Sequence, residues 1–163
     1  EMGFAIISGG GPGVMEAANK GAREAGVVSV GLNIVLPQEQ VCNAYSTKTI
    51  TFNHFFVRKV MLVKYATAFV IMPGGLGTLD ELSEVLTLMQ TRKIRPFPVI
   101  LFDSHFWQGF LDWLRSAVLS KAFIDEEDLQ LLRICDQPAE VAEVVQRWYM
   151  KQEILGRRAV PVR

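Results

Sequence analysis

Cysteine is scarce in this chain of 163 residues: Cys42 and Cys135 stand alone, with no CxxC and no His/Cys cluster. No metal site is therefore expected, and a reduced cytoplasmic setting is the simplest reading. An excess of one charge is also lacking, since 17 Lys and Arg balance 17 Asp and Glu. Without a basic stripe, nucleic acid is excluded as a partner class. No apolar run approaches the roughly 18 residues that cross a bilayer, so no membrane span is expected. The first residues lead directly into a strand-like segment, and no signal peptide is expected either. Linkers, internal repeats and low-complexity stretches are missing too. What is present is 50% hydrophobic content, enough for one sizeable core. One domain over residues 1–155 is expected, followed by a basic mobile tail over 156–163.

Strand and helix patterns alternate along the sequence. Strands are predicted at 4–7, 27–34, 47–52, 68–72 and 97–102, with a short one at 133–135. Helices are predicted at 14–25, from Asn53 as cap to about 65, at 78–91, 106–120, 125–132 and 138–154. In the first helix, Ala17, Ala18, Gly21 and Ala22 suit close packing on a sheet. In the second, Val57, Val60, Met61 and Val63 look core-facing. Such alternation implies an α/β fold, Rossmann-like and doubly wound, with a mostly parallel sheet and helices on both faces. An interior-type strand so near residue 1 leads us to expect a further strand and helix upstream. Ligands in these folds sit at the carboxyl ends of the strands.

Two glycine turns follow strands and so belong on that edge. The first, Gly9-Gly10-Gly11-Pro12-Gly13, fits neither a dinucleotide GxGxxG nor a P-loop. Gly10, Gly11 and Gly13 can admit a phosphate or ribose, and a tight turn needing a permissive backbone explains them as well. The second, Pro73-Gly74-Gly75-Leu76-Gly77-Thr78-Leu79-Asp80-Glu81, is the stronger signal. It opens a helix whose N–H groups and dipole favour an anion, and the Thr78 hydroxyl can cap the helix or bond a phosphate oxygen. Glu81 is placed in the first turn, where a carboxylate serves chemistry better than phosphate binding. Arg58 and Lys59 lie on the preceding helix; they form either a solvated face or a cationic arm toward phosphate or ribose oxygens. Glu84 is a surface carboxylate or a second pocket wall. His54 and His105 read as structural.

These residues together resemble the LONELY GUY (LOG) family, whose members have often carried the label lysine decarboxylase. Pro73 to Glu81 matches its PGGxGTxxE signature, and residues 9–22 match its GGGPGxMEAAxxGA pattern. Arg58-Lys59 precedes the signature at the family's usual interval, and the likeness runs from Ser8 to about Leu155. The family's first strand and its Gly/Ser-rich loop have no counterpart in this sequence. The Phe55-Phe56 approach to Arg58 is closer to longer bacterial members than to compact plant ones.

The resemblance implies a phosphoribohydrolase that cleaves the N-glycosidic bond of cytokinin riboside 5′-monophosphates, or of AMP. By it, Arg58 and Glu81 form the catalytic pair. Gly74, Gly75, Leu76, Gly77, Thr78, Leu79 and Asp80, with Gly10, Gly11, Gly13, Lys59, Glu39 and Thr87, line the nucleotide site. No cofactor or metal is implied. A homodimer or higher homo-oligomer is, with Met61 and the 86–89 face as an interface or as plain core packing. Glycosidic cleavage develops oxocarbenium character that a carboxylate can stabilise, or Glu81 can activate the attacking water. The rivals are a general AMP nucleosidase without hormone role and a non-catalytic nucleotide or molybdenum-cofactor carrier on the same fold. Lysine decarboxylation is disfavoured, because no lysine sits on the glycine-turn edge in a Schiff-base setting.

Overall fold

A computed structural model describes residues 2–37 and 42–155. Glu39 and the 156–163 tail lie outside them. The chain forms two compact units, residues 1–66 and 67–163, each built on its own three-stranded parallel sheet. Both are α/β units whose sheets are flanked by helices.

The first unit runs β1 (Ile6–Ser8), α1 (Val14–Glu24), β2 (Ser29–Ile34), β3 (Lys48–Phe52) and α2 (Phe55–Lys64), in strand order β1-β2-β3. β2 is central, pairing Ile6 with Ser29 on one side and Val30 with Lys48 on the other. Its Leu32 and Ile34 are buried on one face, and Ser29, Gly31 and Asn33 on the other, as a strand covered on both sides requires.

The face α1 turns to the sheet differs from the expected one. Ala22 is buried, but Ala17, Ala18 and Gly21 are exposed and line an open apolar groove of about 350 Å³ beside Ile6 and Val27. The reason is Asn19, wholly buried, whose side chain bonds to Ser8 and Ser29 and fixes the helix rotation. α2 differs too. Asn53 is not its cap; His54, extended at φ −128° and ψ 131°, precedes the first helical residue, Phe55. Leu62 and Val63 are its core residues, whereas Val57 and Val60 are exposed.

The second unit runs β4 (Phe69–Ile71), α3 (Leu76–Gln90), β5 (Val99–Phe102), α4 (Ser104–Trp113), α5 (Glu126–Leu129), β6 (Leu132–Cys135) and α6 (Pro138–Ile154). Its order is β4-β5-β6, all parallel. Val99, Ile100 and Leu101 in central β5 are fully buried, so both faces of the sheet are covered. Leu82, Val85 and Met89 of α3 and Trp107 and Leu111 of α4 complete this core. Met89 therefore packs inside its own unit. α4 passes into a π turn at Leu114–Val118 and a short 3-10 turn at Leu119–Lys121. The Asp103 side chain caps it by accepting from the Phe106 N–H at 3.3 Å. Pro138 opens α6 behind a Gln137/Glu140 capping box, where a missing N–H costs nothing.

Candidate anion-binding turns

The first glycine turn leaves β1 with Gly10 at φ +75° and Gly13 at φ +70°, a region costly for any side chain. A Cβ on Gly10 would meet the Gly31 Cα at 3.3 Å, so the turn lies directly on β2. Side chains then pin it. The Gly10 N–H donates to Ser8 Oγ at 3.1 Å, and the Asn43 N–H donates to the Gly10 carbonyl at 2.8 Å. Asn43 Nδ2 also donates to the Gly11 carbonyl at 3.1 Å and to Asn19 Oδ1 at 2.9 Å.

Arg58 belongs to the same place. One guanidinium nitrogen lies 3.6 Å from where a Cβ on Gly9 would stand, and the group sits over the Phe55 ring at 5.3 Å. α2 thus brings a half-buried cation to the first glycine turn, where stacking on an aromatic face orders a guanidinium. Lys59 beside it is also half-buried.

In the second unit, Gly74 and Gly75 link β4 to α3. The helix begins two residues before the expected start, at Leu76, with Gly75 in the capping position and no side-chain cap. Thr78 is therefore in the first turn rather than at the cap, and Glu81 is in the second turn rather than the first. A Cβ on Gly74 would land on Thr78 Oγ1 and within 2.9 Å of Thr78 Cβ, so Gly74 is required by the threonine folded against it. Gly75 and Gly77 differ: a Cβ on either would meet open space. Leu76, Gly77 and Asp80 are exposed, and Thr78, Leu79 and Glu81 half-buried. Glu84 follows Glu81 by one turn on the same side of α3 and is also half-buried. Thr87 is exposed, and its hydroxyl donates to the Ser83 carbonyl at 2.8 Å.

Two polar residues of the first unit went unremarked in the sequence, Asn19 and Asn43. The signal for Asn19 was an amide at the i+4 position from Met15 and three before Ala22, on the side of α1 that packs inward. Asn43 carried no such signal, because its role rests on a contact with a turn 32 positions away.

The chain is thus an α/β protein of parallel sheets in which glycine turns follow β1 and β4, each opening a helix, α1 or α3, that has no side-chain cap. The family model described as possible lysine decarboxylase matches residues 15–145, and the chain belongs to that family, the LOG family.

Among its relatives is the cytokinin riboside 5′-monophosphate phosphoribohydrolase LOG of Oryza sativa subsp. japonica, 28% identical over 158 residues. The match covers 94% of this chain and 64% of that protein. A Mycobacterium tuberculosis protein named cytokinin riboside 5′-monophosphate phosphoribohydrolase is 27% identical over 140 residues, covering 82% of this chain and 72% of its own. The chain thus spans less than two thirds of the length of the rice relative. Among solved structures, the molybdenum cofactor binding protein of Rippkaea orientalis shares the fold, with a TM-score of 0.61 at 23% identity, covering 89% of this chain and 77% of its own.

Proposed function

We propose that the protein is a phosphoribohydrolase that adds water across the N-glycosidic bond of a nucleoside 5′-monophosphate, giving free base and ribose 5-phosphate. The observation that carries this reading is the start of α3. Gly75 and Gly77 leave its first N–H groups open where the fold itself places no demand for glycine. An anion there gains from those donors and from the helix dipole, together about 1–2 kcal/mol or more in a partly buried setting. The names of the rice and mycobacterial relatives support the same chemistry.

In this reading Gly74, Gly75, Gly77 and Thr78 hold the 5′-phosphate. Glu81 stabilises the oxocarbenium character at the anomeric carbon, or takes a proton from the attacking water. Arg58, ordered by Phe55, holds ribose and phosphate oxygens. Gly10, Gly11, Gly13, Lys59, Glu39, Leu76, Leu79, Asp80 and Thr87 complete the proposed nucleotide site. Substrates are cytokinin riboside 5′-monophosphates, AMP or both, and the setting is cytoplasmic. The apolar side chains that α2 exposes, Phe55, Phe56 and Val60, favour a homo-oligomer, which sedimentation would test.

The deciding assay incubates the full-length protein with AMP and with isopentenyladenosine 5′-monophosphate and detects free base and ribose 5-phosphate. Glu81→Gln should abolish turnover while nucleotide binding persists. Binding of AMP without release of base from the unaltered protein would favour a carrier. Turnover unchanged in Glu81→Gln would remove Glu81 from the chemistry.

A further inference from the structure

Asn33 is the penultimate residue of β2, the central strand of its sheet, and is only 8% exposed. Its Oδ1 is buried and has no hydrogen-bond partner among the described residues. The other buried amide of this unit shows the contrast. Asn19 donates to Ser29 Oγ at 2.8 Å and the Val30 carbonyl at 3.3 Å, and accepts from Ser8 Oγ at 2.5 Å and Asn43 Nδ2 at 2.9 Å. Asn19 therefore has a full structural role. Among the described residues Asn33 Oδ1 thus lies buried with no donor to replace water, which is unfavourable unless a donor is supplied on binding.

Its position says where that donor comes from. Alternation along β2 places Asn33 on the same face as Ser29 and Gly31. That is the face on which Asn19 meets Ser29 and Gly10 rests against Gly31. Asn33 is thus the next residue on this face beyond the first glycine turn, toward the carboxyl end of the strand where ligands of parallel sheets bind. A carbonyl oxygen repels phosphate oxygens, so it does not serve the phosphate. An amide offers an acceptor beside a donor, the pattern complementary to an amino group next to a ring nitrogen on a purine.

We propose that Asn33 is a specificity-determining residue that reads the amino edge of the base, its Oδ1 accepting the exocyclic N–H. The inference rests on the nucleotide reading above but not on hydrolysis. The test compares the full-length protein with Asn33→Leu, which keeps volume and removes the amide, and with the smaller Asn33→Ser. The probes are AMP, purine riboside 5′-monophosphate, which lacks the amino group, and ribose 5-phosphate. Affinity is read by calorimetry, or as KM from initial rates where the probe is turned over.

Both variants should weaken AMP by about threefold to tenfold, the range for one neutral hydrogen bond. Purine riboside 5′-monophosphate and ribose 5-phosphate should be unaffected. The melting temperature of Asn33→Leu should stay level or rise, since an orphaned polar group is gone. Equal losses for AMP and purine riboside 5′-monophosphate, or no loss for AMP, would overturn the proposal. So would a lowered melting temperature with the affinity ratio intact. AMP bound but never cleaved would remove the hydrolase reading and leave Asn33 standing, whereas no affinity for any of the probes would remove both.

Discussion

Gly77→Ala separates what the fold needs from what a ligand needs. Gly77 is the second residue of α3, and a methyl group there meets nothing within 4 Å. Alanine is the better helix former by about 0.5–1 kcal/mol. For a chain of this size that raises the melting temperature by roughly 1–4 °C. A phosphate oxygen must come within about 2.7–3.2 Å of a backbone N–H to bond it, and the new methyl stands beside that approach. Losing one charge-assisted hydrogen bond, about 1.5–3 kcal/mol, lowers kcat/KM for AMP by roughly tenfold to a hundredfold. Gly74→Ala is the control. Its methyl lands on Thr78, so about 1–3 kcal/mol of overpacking should lower stability and activity together. The measurements are thermal melts monitored by circular dichroism and initial rates of base release. A Gly77→Ala protein that melts higher and cleaves AMP at the full rate would refute the phosphate seat.

Arg58→Ala should raise KM and lower kcat together, with a melting temperature within a few degrees of the parent; an unchanged rate and affinity would make Arg58 a solvated surface cation. Asn19→Leu should cost roughly 3 kcal/mol in urea unfolding, because it removes a buried or part-buried hydrogen bond from each of Ser8, Ser29 and Asn43 at once; a loss below about 1 kcal/mol would show that the network is dispensable. Burial, helped by Glu140 and Asp136, pushes the Cys135 thiol above its ordinary 9.0. The folded state thus favours the protonated thiol. That stabilisation is complete below the unfolded value and is lost as pH rises through the higher folded value. Stability should therefore decline on the alkaline side of 9.0, and Cys135→Ala should flatten the decline; an identical slope in the variant would contradict the burial argument.

Much of the fold was legible because hydrophobic period and turn chemistry are local. The apolar run of β5, Val99 to Phe102, could only be a covered strand, and Pro138 could only open α6. Boundaries moved where local rules compete. Gly75 lets the chain enter α3 two residues before Thr78, which shifted Thr78 from cap to first turn and Glu81 to the second. The packing faces of α1 and α2 differ in part from the expected ones for another reason. Small and β-branched residues satisfy an inward face in the abstract, and Ala22 and Val63 are buried as expected; but Asn19 rotates α1 by its hydrogen bonds, and on α2 Leu62 joins Val63 in the core while Val57 and Val60 stay exposed.

By itself the sequence determined the parallel α/β class, the two glycine turns at strand ends, and the residue types suited to nucleotide chemistry, since each follows from short-range spacing. Only tertiary structure decided which glycines are structural. Gly74 is held by Thr78 and Gly10 by Gly31, whereas Gly75 and Gly77 face open space. It also decided that Arg58 stands at the first glycine turn and that Asn33 Oδ1 is buried with no hydrogen-bond partner among the described residues. Those facts depend on atoms brought together from distant parts of the chain, and no local pattern encodes them.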